Sequence, residues 1–152
     1  MRFWDTSAII PLVIAEPGTS RAKIWFRQDS EIIVWTLTRV ELLSAIARRR
    51  REEPKSSPLL AAARRDLLRA WDRWSEVTAI EAVRRLAERL VETHKLRAAD
   101  ALQLGAALVA AESDPGGLEF VTFDRNLAEP LTVKGFLFLG REKIKFELLG
   151  LN

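Results

Sequence analysis

Short runs of β-branched and aromatic residues alternate with longer stretches in which apolar residues recur at helical spacing. The short runs predict strands over Arg2–Trp4, Ile32–Trp35, 120–123 and 136–138. The run Ile32–Trp35 is apolar at every position, which is typical of a strand buried on both faces of a parallel sheet. The hydrophobic pattern therefore predicts a sheet whose strands are separated by helices.

The longer stretches predict helices of different lengths. One or two helical turns are expected over 7–14, longer helices over 19–28, 37–53, 58–74, 79–94 and 97–112, and a short helix over 126–129. Pro54 stops the helix before it, and a tight turn over 55–58 joins the two flanking helices as a hairpin. Strands that alternate with helices in this way predict an α/β fold with right-handed crossovers.

The composition limits the chemistry that the chain can perform. A length of 152 residues with 48% hydrophobic residues fits one ordinary domain, predicted over residues 1–152, with its own core. The absence of cysteine excludes disulfides and thiolate metal sites, and a single histidine argues against zinc and against a histidine-pair ribonuclease. Any metal must therefore be held by oxygen ligands or by His94.

From the sequence pattern we expect neither a secretory signal nor a membrane segment. The first residues lack a basic region followed by a long apolar stretch. No apolar run approaches the ~20 residues that a membrane helix needs. We expect a cytoplasmic protein without a membrane partner.

Four acidic residues are predicted where strands end or helices begin. Asp5 and Asp124 each follow a strand, whereas Glu41 and Asp100 lie in the first turns of helices. In open parallel sheets, sites form beyond the carboxyl ends of the strands. We therefore expect the four carboxylates at one edge of the sheet.

Each of these acids also has a purely structural interpretation. Asp5 and Asp124 suit helix N-caps, and Asp100 could complement a helix dipole. Glu41 forms the pattern of a capping box with Thr38. Asp100 argues against the structural interpretation, because it lies among alanines and leucines, where a lone buried carboxylate is costly.

Gathered carboxylates point to a divalent cation. At ~4 Å, two of them repel by roughly 1 kcal/mol in water and about 4 kcal/mol at an effective dielectric of 20. Oxygen ligands select a hard ion, so we expect Mg²⁺ or Mn²⁺. Such an ion lowers the pKa of a water and neutralises charge on a phosphate, while a carboxylate accepts the proton. This chemistry hydrolyses a phosphodiester without a ribose hydroxyl.

Four short segments around these acids match a known pattern. They are Asp5-Thr6-Ser7-Ala8, Glu41-Leu42-Leu43-Ser44-Ala45, Ala98-Ala99-Asp100-Ala101-Leu102, and Thr122-Phe123-Asp124 followed by Asn126-Leu127. In this order, over nearly the whole chain, they resemble the PIN-domain family, and within it the VapC-like toxins of toxin–antitoxin pairs. One departure is Gln103-Leu104-Gly105, where the family often shows His-Leu-Ala.

The resemblance implies a three-layer α/β/α fold with a central parallel sheet of four to five strands and a protruding helical hairpin. It implies a Mg²⁺- or Mn²⁺-dependent endoribonuclease that forms homodimers and is inhibited by an antitoxin protein. The four acids would be both catalytic residues and metal ligands. Thr6, Ser7 and Thr122 would support them through hydroxyl groups, and Asn126 would act in the same way.

The basic residues provide candidate contacts to the RNA substrate. The net charge is +3, and residues 39–73 contain ten basic against five acidic side chains, which suits a polyanion. Arg48 and Arg49 could bind phosphates, or they could simply complement the end of their helix. Arg97 and Arg125 flank proposed ligands and could also contact phosphate.

Three other functions stay open at this point. The chain could bind RNA without cleaving it, or it could be a PIN nuclease of RNA processing that has no antitoxin. A phosphotransfer domain with Asp5 as the phosphate acceptor is less favoured, because Thr6 and Ser7 do not supply the second acid that this chemistry uses.

Overall fold

The apolar runs form a five-stranded parallel sheet in the computed structural model, which describes residues 1–112 and 114–140. The strands are β1 (Arg2–Trp4), β2 (Ile32–Trp35), β3 (Ser75–Val77), β4 (Glu119–Val121) and β5 (Phe138–Leu139). Their order is β3-β2-β1-β4-β5, and every neighbouring pair is parallel. The predicted α/β class and parallel sheet are confirmed. The single-domain prediction extends over residues 141–152, which lie outside the described residues, and it stays a prediction.

The predicted helices also form. They are α1 (Thr6–Val13), α2 (Thr19–Gln28), α3 (Thr38–Glu52), α4 (Ser57–Trp71), α5 (Ile80–Thr93), α6 (Ala98–Ala110) and α7 (Ala128–Val133). A 3₁₀ turn over Pro54–Ser56 joins α3 and α4 as a hairpin, since proline cannot continue the preceding helix. None of the helices in the described ranges is long and apolar enough to cross a membrane.

Helices cover both faces of the sheet because neighbouring strand residues point to opposite sides. Phe3 and Phe120 face the core beneath α5, α6 and α7, with ring centroids 5.1 Å apart. Trp4 and Val121 face the other core, beneath α1 to α4. The fold therefore has three layers, with all four of these strand side chains fully buried.

Strand β3 was not predicted from the sequence, and the helix before it ends three residues earlier than the predicted 74. Ser75 and Glu76 are exposed, so this edge strand lacks an alternating apolar pattern. Its place is set by main-chain pairing with β2, in the register Trp35↔Val77. A three-residue edge strand of this kind leaves almost no hydrophobic signal.

The chain order creates a switch point between β1 and β4. From β1 the chain passes outward to β2 and β3, and it then crosses through α5 and α6 to β4 on the other side of β1. Connections that leave neighbouring strands in opposite directions open a crevice at their carboxyl ends. Asp5 and Thr122 directly follow these two strands.

Close packing of α6 on α5 sets the position of the α6 helix on the sheet. A side chain at Gly105 would place its Cβ 3.1 Å from the Val83 carbonyl oxygen, so only glycine fits without a shift. Residues Ala101 and Leu104 of α6 are fully buried in the same core. The first turn of α6, which carries Asp100, thereby reaches the carboxyl edge of the sheet.

Candidate functional site

Asp5 is held rigidly at the end of β1. It is only 4% exposed, and it is the N-cap of α1. Its Oδ1 accepts hydrogen bonds from Ser7 Oγ at 2.8 Å and from the Ala8 main-chain N–H at 3.1 Å. Its Oδ2 accepts one from Thr122 Oγ1 at 2.9 Å. The structural interpretation as an N-cap is therefore correct, and the same bonds fix the carboxylate in the crevice.

Burial changes the acidity of this carboxyl group. Desolvation raises the pKa of Asp5 from 3.8 to about 7, although the hydrogen bonds from Ser7, Thr122 and Ala8 act in the opposite direction. The negative charge of Asp124 raises the pKa further. The hydrogen bonds thus only partly offset the burial of the Asp5 carboxylate, and no salt bridge to Asp5 is formed within the described residues.

Asp100 and Asp124 meet beside Asp5. Asp124 caps a 3₁₀ turn over Arg125–Leu127, and its Oδ1 accepts the Asn126 main-chain N–H at 2.8 Å. Asp100 is half-buried in the first turn of α6, next to the Asp124 carboxyl group. Burial raises the pKa of Asp100, and the charge of Asp124 raises it further. Two carboxyl groups in this contact must share a proton or a cation.

Glu41 joins the cluster through hydroxyl and amide groups. Thr6 Oγ1 donates to Glu41 Oε2, and Gln103 Nε2 approaches the same oxygen at 3.4 Å. Gln103 Nε2 also lies 2.9 Å from Thr6 Oγ1 and 2.9 Å from Thr38 Oγ1. The alternative interpretation of Thr38 and Glu41 as a capping box is wrong, because Leu37 is the N-cap and Thr38 is buried against Gln103.

The predicted supporting residues take the following positions. Thr6, Ser7 and Thr122 each donate a hydroxyl hydrogen bond to Glu41 or Asp5. Asn126 reaches Asp124 only through its main-chain N–H, and the residue itself is exposed. The expected hydroxyl support is present, whereas an amide side-chain contact from Asn126 to Asp124 is not formed.

Gln103 was not predicted from the sequence to take part in the site. It is 3% exposed and lies on the apolar helix α6, where it links Glu41 with Thr6 and Thr38. Its Oε1 is buried and accepts no hydrogen bond from the described residues. The available signal was a single amide among apolar neighbours, at the position where the chain departs from the family pattern.

The four carboxylates carry no salt bridge within residues 1–112 and 114–140. The main-chain N–H of Arg97 and, more weakly, its positive charge lower the pKa of Asp100, but burial and the charge of Asp124 outweigh them. In the same ranges, no group of three or more acidic or histidine side chains stands in the arrangement of a metal site. Since Mg²⁺ commonly takes only one or two carboxylates and keeps several waters, the Asp100–Asp124 pair fits such an ion.

The four arginines proposed to contact RNA lie in different settings. Arg97 and Arg125 are exposed next to Asp100 and Asp124. Arg49 is half-buried and pairs with Glu16 at 3.2 Å, whereas Arg48 is exposed on the same helix. The structure therefore separates Arg48 from Arg49, which the sequence pattern had grouped.

Comparison with known sequences identifies relatives over most of the chain. The family described as PIN domain matches residues 2–130. The chain is similar to ribonuclease VapC45 of Mycobacterium tuberculosis (strain CDC 1551 / Oshkosh), with 32% identity over 125 residues, covering 82% of this chain and 85% of that protein. The same identity and coverage are found with ribonuclease VapC49 of Mycobacterium tuberculosis (strain ATCC 25618 / H37Rv).

Solved structures share the fold at low sequence identity. A toxin–antitoxin complex from Klebsiella pneumoniae has a TM-score of 0.59 and 15% identity, over 84% of this chain and 91% of that one. VapBC2 from Rickettsia felis, bound to a DNA fragment from its promoter, has a TM-score of 0.58 and 12% identity, over 93% and 98%. With the sequence relatives above, these findings make the assignment plain: the chain belongs to the PIN-domain family, in its VapC-like branch.

Proposed function

We propose that this protein is a divalent-metal-dependent endoribonuclease that hydrolyses RNA phosphodiester bonds, with Asp5, Glu41, Asp100 and Asp124 as its catalytic residues. The observation that carries the proposal is that Asp124 lies close enough to Asp5 and Asp100 to raise their pKa values, at the sheet edge where Thr6 also holds Glu41. Membership of a family whose similar members are named ribonucleases supports it.

Asp100 and Asp124 would hold Mg²⁺ or Mn²⁺, with Asp5 and Glu41 beside them. When bound, such an ion would lower the pKa of a water molecule and neutralise charge on the scissile phosphate. The contact between the two aspartate carboxyls and the burial of Asp5 both disfavour three free negative charges. This part of the site is therefore destabilised until positive charge arrives.

The chain's own residues orient the reactants. Glu41 Oε2 is occupied by Thr6 and Gln103, whereas no described residue hydrogen-bonds to Oε1. We assign to Oε1 the acceptance of a proton from the attacking water. Ser7 and Thr122 hold both oxygens of Asp5, so the direction of this carboxylate is fixed before the ion and the substrate bind. Arg97 and Arg125 flank the cluster and would contact neighbouring phosphates.

RNA cleavage with and without a chelator tests the proposal. Purified protein incubated with single-stranded and structured RNAs should cleave in Mg²⁺ or Mn²⁺ and stop in EDTA. Asp100→Asn should abolish most of the activity, while Asp66→Asn, an exposed acid on α4, should not. Cleavage that survives both EDTA and Asp5→Asn contradicts the proposed mechanism.

The second candidate function is RNA binding without cleavage. It is supported by the basic segment 39–73, which forms α3 and α4 beside the site. RNA binding that is unaffected by Mg²⁺ and Mn²⁺, with no cleavage at any protein concentration, favours this candidate over the nuclease.

The biological setting that we propose is a toxin–antitoxin pair in the cytoplasm. The fold is shared with a chain of the toxin–antitoxin complex from Klebsiella pneumoniae, and with a chain of FitAB bound to an IR36 DNA fragment (TM-score 0.54, 14% identity, over 92% of this chain and 94% of that one). A cognate antitoxin would suppress cleavage on mixing, and a homodimer would appear in light scattering. A neighbouring reading frame with no inhibitory product favours an RNA-processing nuclease instead.

A further inference from the structure

A pocket of 260 Å³ opens beside the carboxylate cluster, between α1 and α3. Ile10 and Ile14 of α1 form one wall, and Ala45 and Arg48 of α3 form another. Ser7 and Phe123 also line it; Ser7 donates to Asp5, and Phe123 directly precedes Asp124. Its volume is below the roughly 300–1,000 Å³ that is typical of pockets for drug-sized ligands. The pocket therefore suits a small fragment such as one nucleotide.

The charge at the rim of the pocket is positive. Glu16 and Arg49 both line it, but they neutralise each other across 3.2 Å, and Arg49 also pairs with Glu53 at 3.5 Å. Arg48 is exposed and forms no salt bridge with any residue in the described ranges. One uncompensated guanidinium thus remains, and this group binds phosphate oxygens in a bidentate manner.

Part of the pocket lining is apolar, and its aromatic residue is held in place. Phe123 is partly exposed, and its ring stacks on Trp25 with centroids 5.1 Å apart, which holds its orientation. The Phe123 main-chain N–H donates to Ser7 Oγ at 2.8 Å, so both lining residues are tied to the strand ends. A nucleobase can pack against an aromatic ring and aliphatic side chains without regard to its identity.

The pocket also lies at a useful distance from the cluster. Glu41, Ala45 and Arg48 are spaced four and three residues apart, so they share one face of α3. Seven residues of helix place the Cα atoms of Glu41 and Arg48 about 10 Å apart. An RNA chain that lies along this face would contact Arg48 within a few nucleotides of the carboxylates.

From these contacts we propose that the pocket binds a nucleotide adjoining the scissile phosphate, with Arg48 holding a backbone phosphate and Phe123, Ile10 and Ile14 contacting its base. This proposal rests on the proposed nuclease function. It places the RNA along α3, from Glu41 towards Arg48. Arg49 is then a structural residue that ties α3 to the loop after α1, through Glu16.

Steady-state cleavage kinetics of Arg48→Ala test the pocket. With an RNA that the wild-type protein cleaves, KM should rise about 3- to 10-fold while kcat changes less than about 2-fold, because the contact is made equally before and during the reaction. In a plot of the logarithm of RNA affinity against the logarithm of salt concentration, the magnitude of the slope should fall by about 0.7. This is the contribution of one phosphate contact to a single-stranded nucleic acid. Arg48→Lys should recover part of the loss.

Arg89→Ala is the matched control. Arg89 is exposed on α5, on the opposite side of the sheet, and forms no salt bridge within the described ranges. The Arg89→Ala variant removes the same charge as Arg48→Ala. An equal rise in KM for both variants therefore overturns the proposed binding pocket, because it indicates only a long-range charge effect. An unchanged KM for Arg48→Ala overturns it as well.

A chemical substitution in the RNA locates the contact. A neutral methylphosphonate is moved one linkage at a time along the substrate, away from the cleaved bond. At one position near that bond it should raise KM for the wild-type protein but not for Arg48→Ala, since the interaction is already lost. Equal effects in both proteins at every position contradict the assignment of Arg48.

These results separate the pocket from the nuclease proposal. If the wild-type protein cleaves RNA and Arg48→Ala is indistinguishable from it, the pocket is wrong and the nuclease stands. If no RNA is cleaved, the nuclease is wrong, and fluorescence anisotropy of a short RNA in EDTA then tests the pocket alone. Weaker binding by Arg48→Ala than by Arg89→Ala supports the pocket, and equal binding overturns it.

Discussion

The two ends of the sheet treat charge in opposite ways. At the amino end, Arg2 lies next to Glu119 in the β1–β4 register, and its Nε donates to Glu119 Oε2 at 2.6 Å. A second nitrogen of Arg2 donates to the Trp25 carbonyl at 2.7 Å. The N-terminal ammonium pairs with Asp29. Glu119 and Asp29 at this end therefore each have a positive partner from the chain itself.

At the carboxyl end, acids meet acids. Asp100 contacts Asp124, Asp5 lies close enough to Asp124 for its pKa to be raised, and Glu41 is held by neutral groups. The contrast supports our proposal that the carboxyl end takes up positive charge from solution, and it can be tested from both ends.

The largest expected effect is on catalysis at the carboxyl end. Asp124→Asn should lower RNA cleavage by about 10³-fold or more, since it removes a charge from the reacting centre. Asparagine also suits an N-cap, so the turn that Asp124 caps should persist and the free energy of unfolding should not fall. Cleavage assays and denaturant unfolding check both statements, with Asp66→Asn as the control. Cleavage at the wild-type rate contradicts the role of Asp124.

At the amino end, breaking a pair should destabilise the fold instead. The Arg2 side chain is 10% exposed and that of Glu119 is 36% exposed. Arg2→Met should lower the free energy of unfolding by about 2–3 kcal/mol, less than for a fully buried pair because water reaches Glu119. Cleavage per folded molecule should be unchanged. The double variant with Glu119→Gln should recover part of the loss, and a lack of coupling contradicts the pairing.

A divalent cation should stabilise the folded protein only by binding at the carboxyl end of the sheet. Mn²⁺ at 100 times its Kd should raise the free energy of unfolding by about 2.7 kcal/mol, which is roughly 5–10 °C in Tm for a chain of this size. Asp100→Asn should reduce this rise, whereas Arg2→Met should leave it intact. Thermal melts with and without EDTA give the comparison. The ligand assignment is wrong if Asp100→Asn responds to Mn²⁺ as the wild type does.

In EDTA, the carboxyl end should also make stability depend on pH. The pKa of Asp5 is raised to about 7 from 3.8, so its favourable contribution is complete below 3.8 and is lost as the pH rises towards 7. Between pH 5 and 7 the free energy of unfolding should fall by about 2 kcal/mol, with Asp100 acting in the same direction. Asp5→Asn should flatten this dependence. A stability that rises over the same range contradicts the burial argument.

The smallest expected effect comes from the amide that orients Glu41. Gln103→Met keeps the volume but removes the donor to Thr6, Thr38 and Glu41. We expect about a 10-fold rise in the Mn²⁺ concentration for half-maximal activity, while KM for RNA stays constant. Gln103→His, which retains a donor N–H, should restore most of the response. Equal metal dependence in Gln103→Met and wild type contradicts a positioning role.

The fold was predictable where the chain buries apolar residues. β2 is buried at every position and α6 is buried over residues 103–107, so their hydrophobic patterns were clear. The edge strand β3 was missed because its stability comes from main-chain pairing and not from its side chains. The same logic explains the site, because Asp5 was found from its place directly after a buried strand.

The contacts between distant side chains could not be predicted. Gln103 lies 65 residues from Thr38, and its partners follow from how α6 packs across the sheet. Likewise, Arg49 and Glu16 are 33 residues apart and meet only because α1 packs against α3. Sequence position alone treated Arg48 and Arg49 as equals, and three-dimensional packing gives them different partners.

The hydroxyl of Thr122 has a consequence for when the protein becomes active. Thr122 Oγ1 donates to Asp5 Oδ2 and accepts the Asp124 main-chain N–H, so one oxygen atom bridges two adjacent strand ends. A slip of one residue between β1 and β4 would turn this side chain to the opposite face and break the bridge. A nascent or misaligned chain should therefore not cleave RNA, because the site forms only when β1 and β4 pair in the correct register.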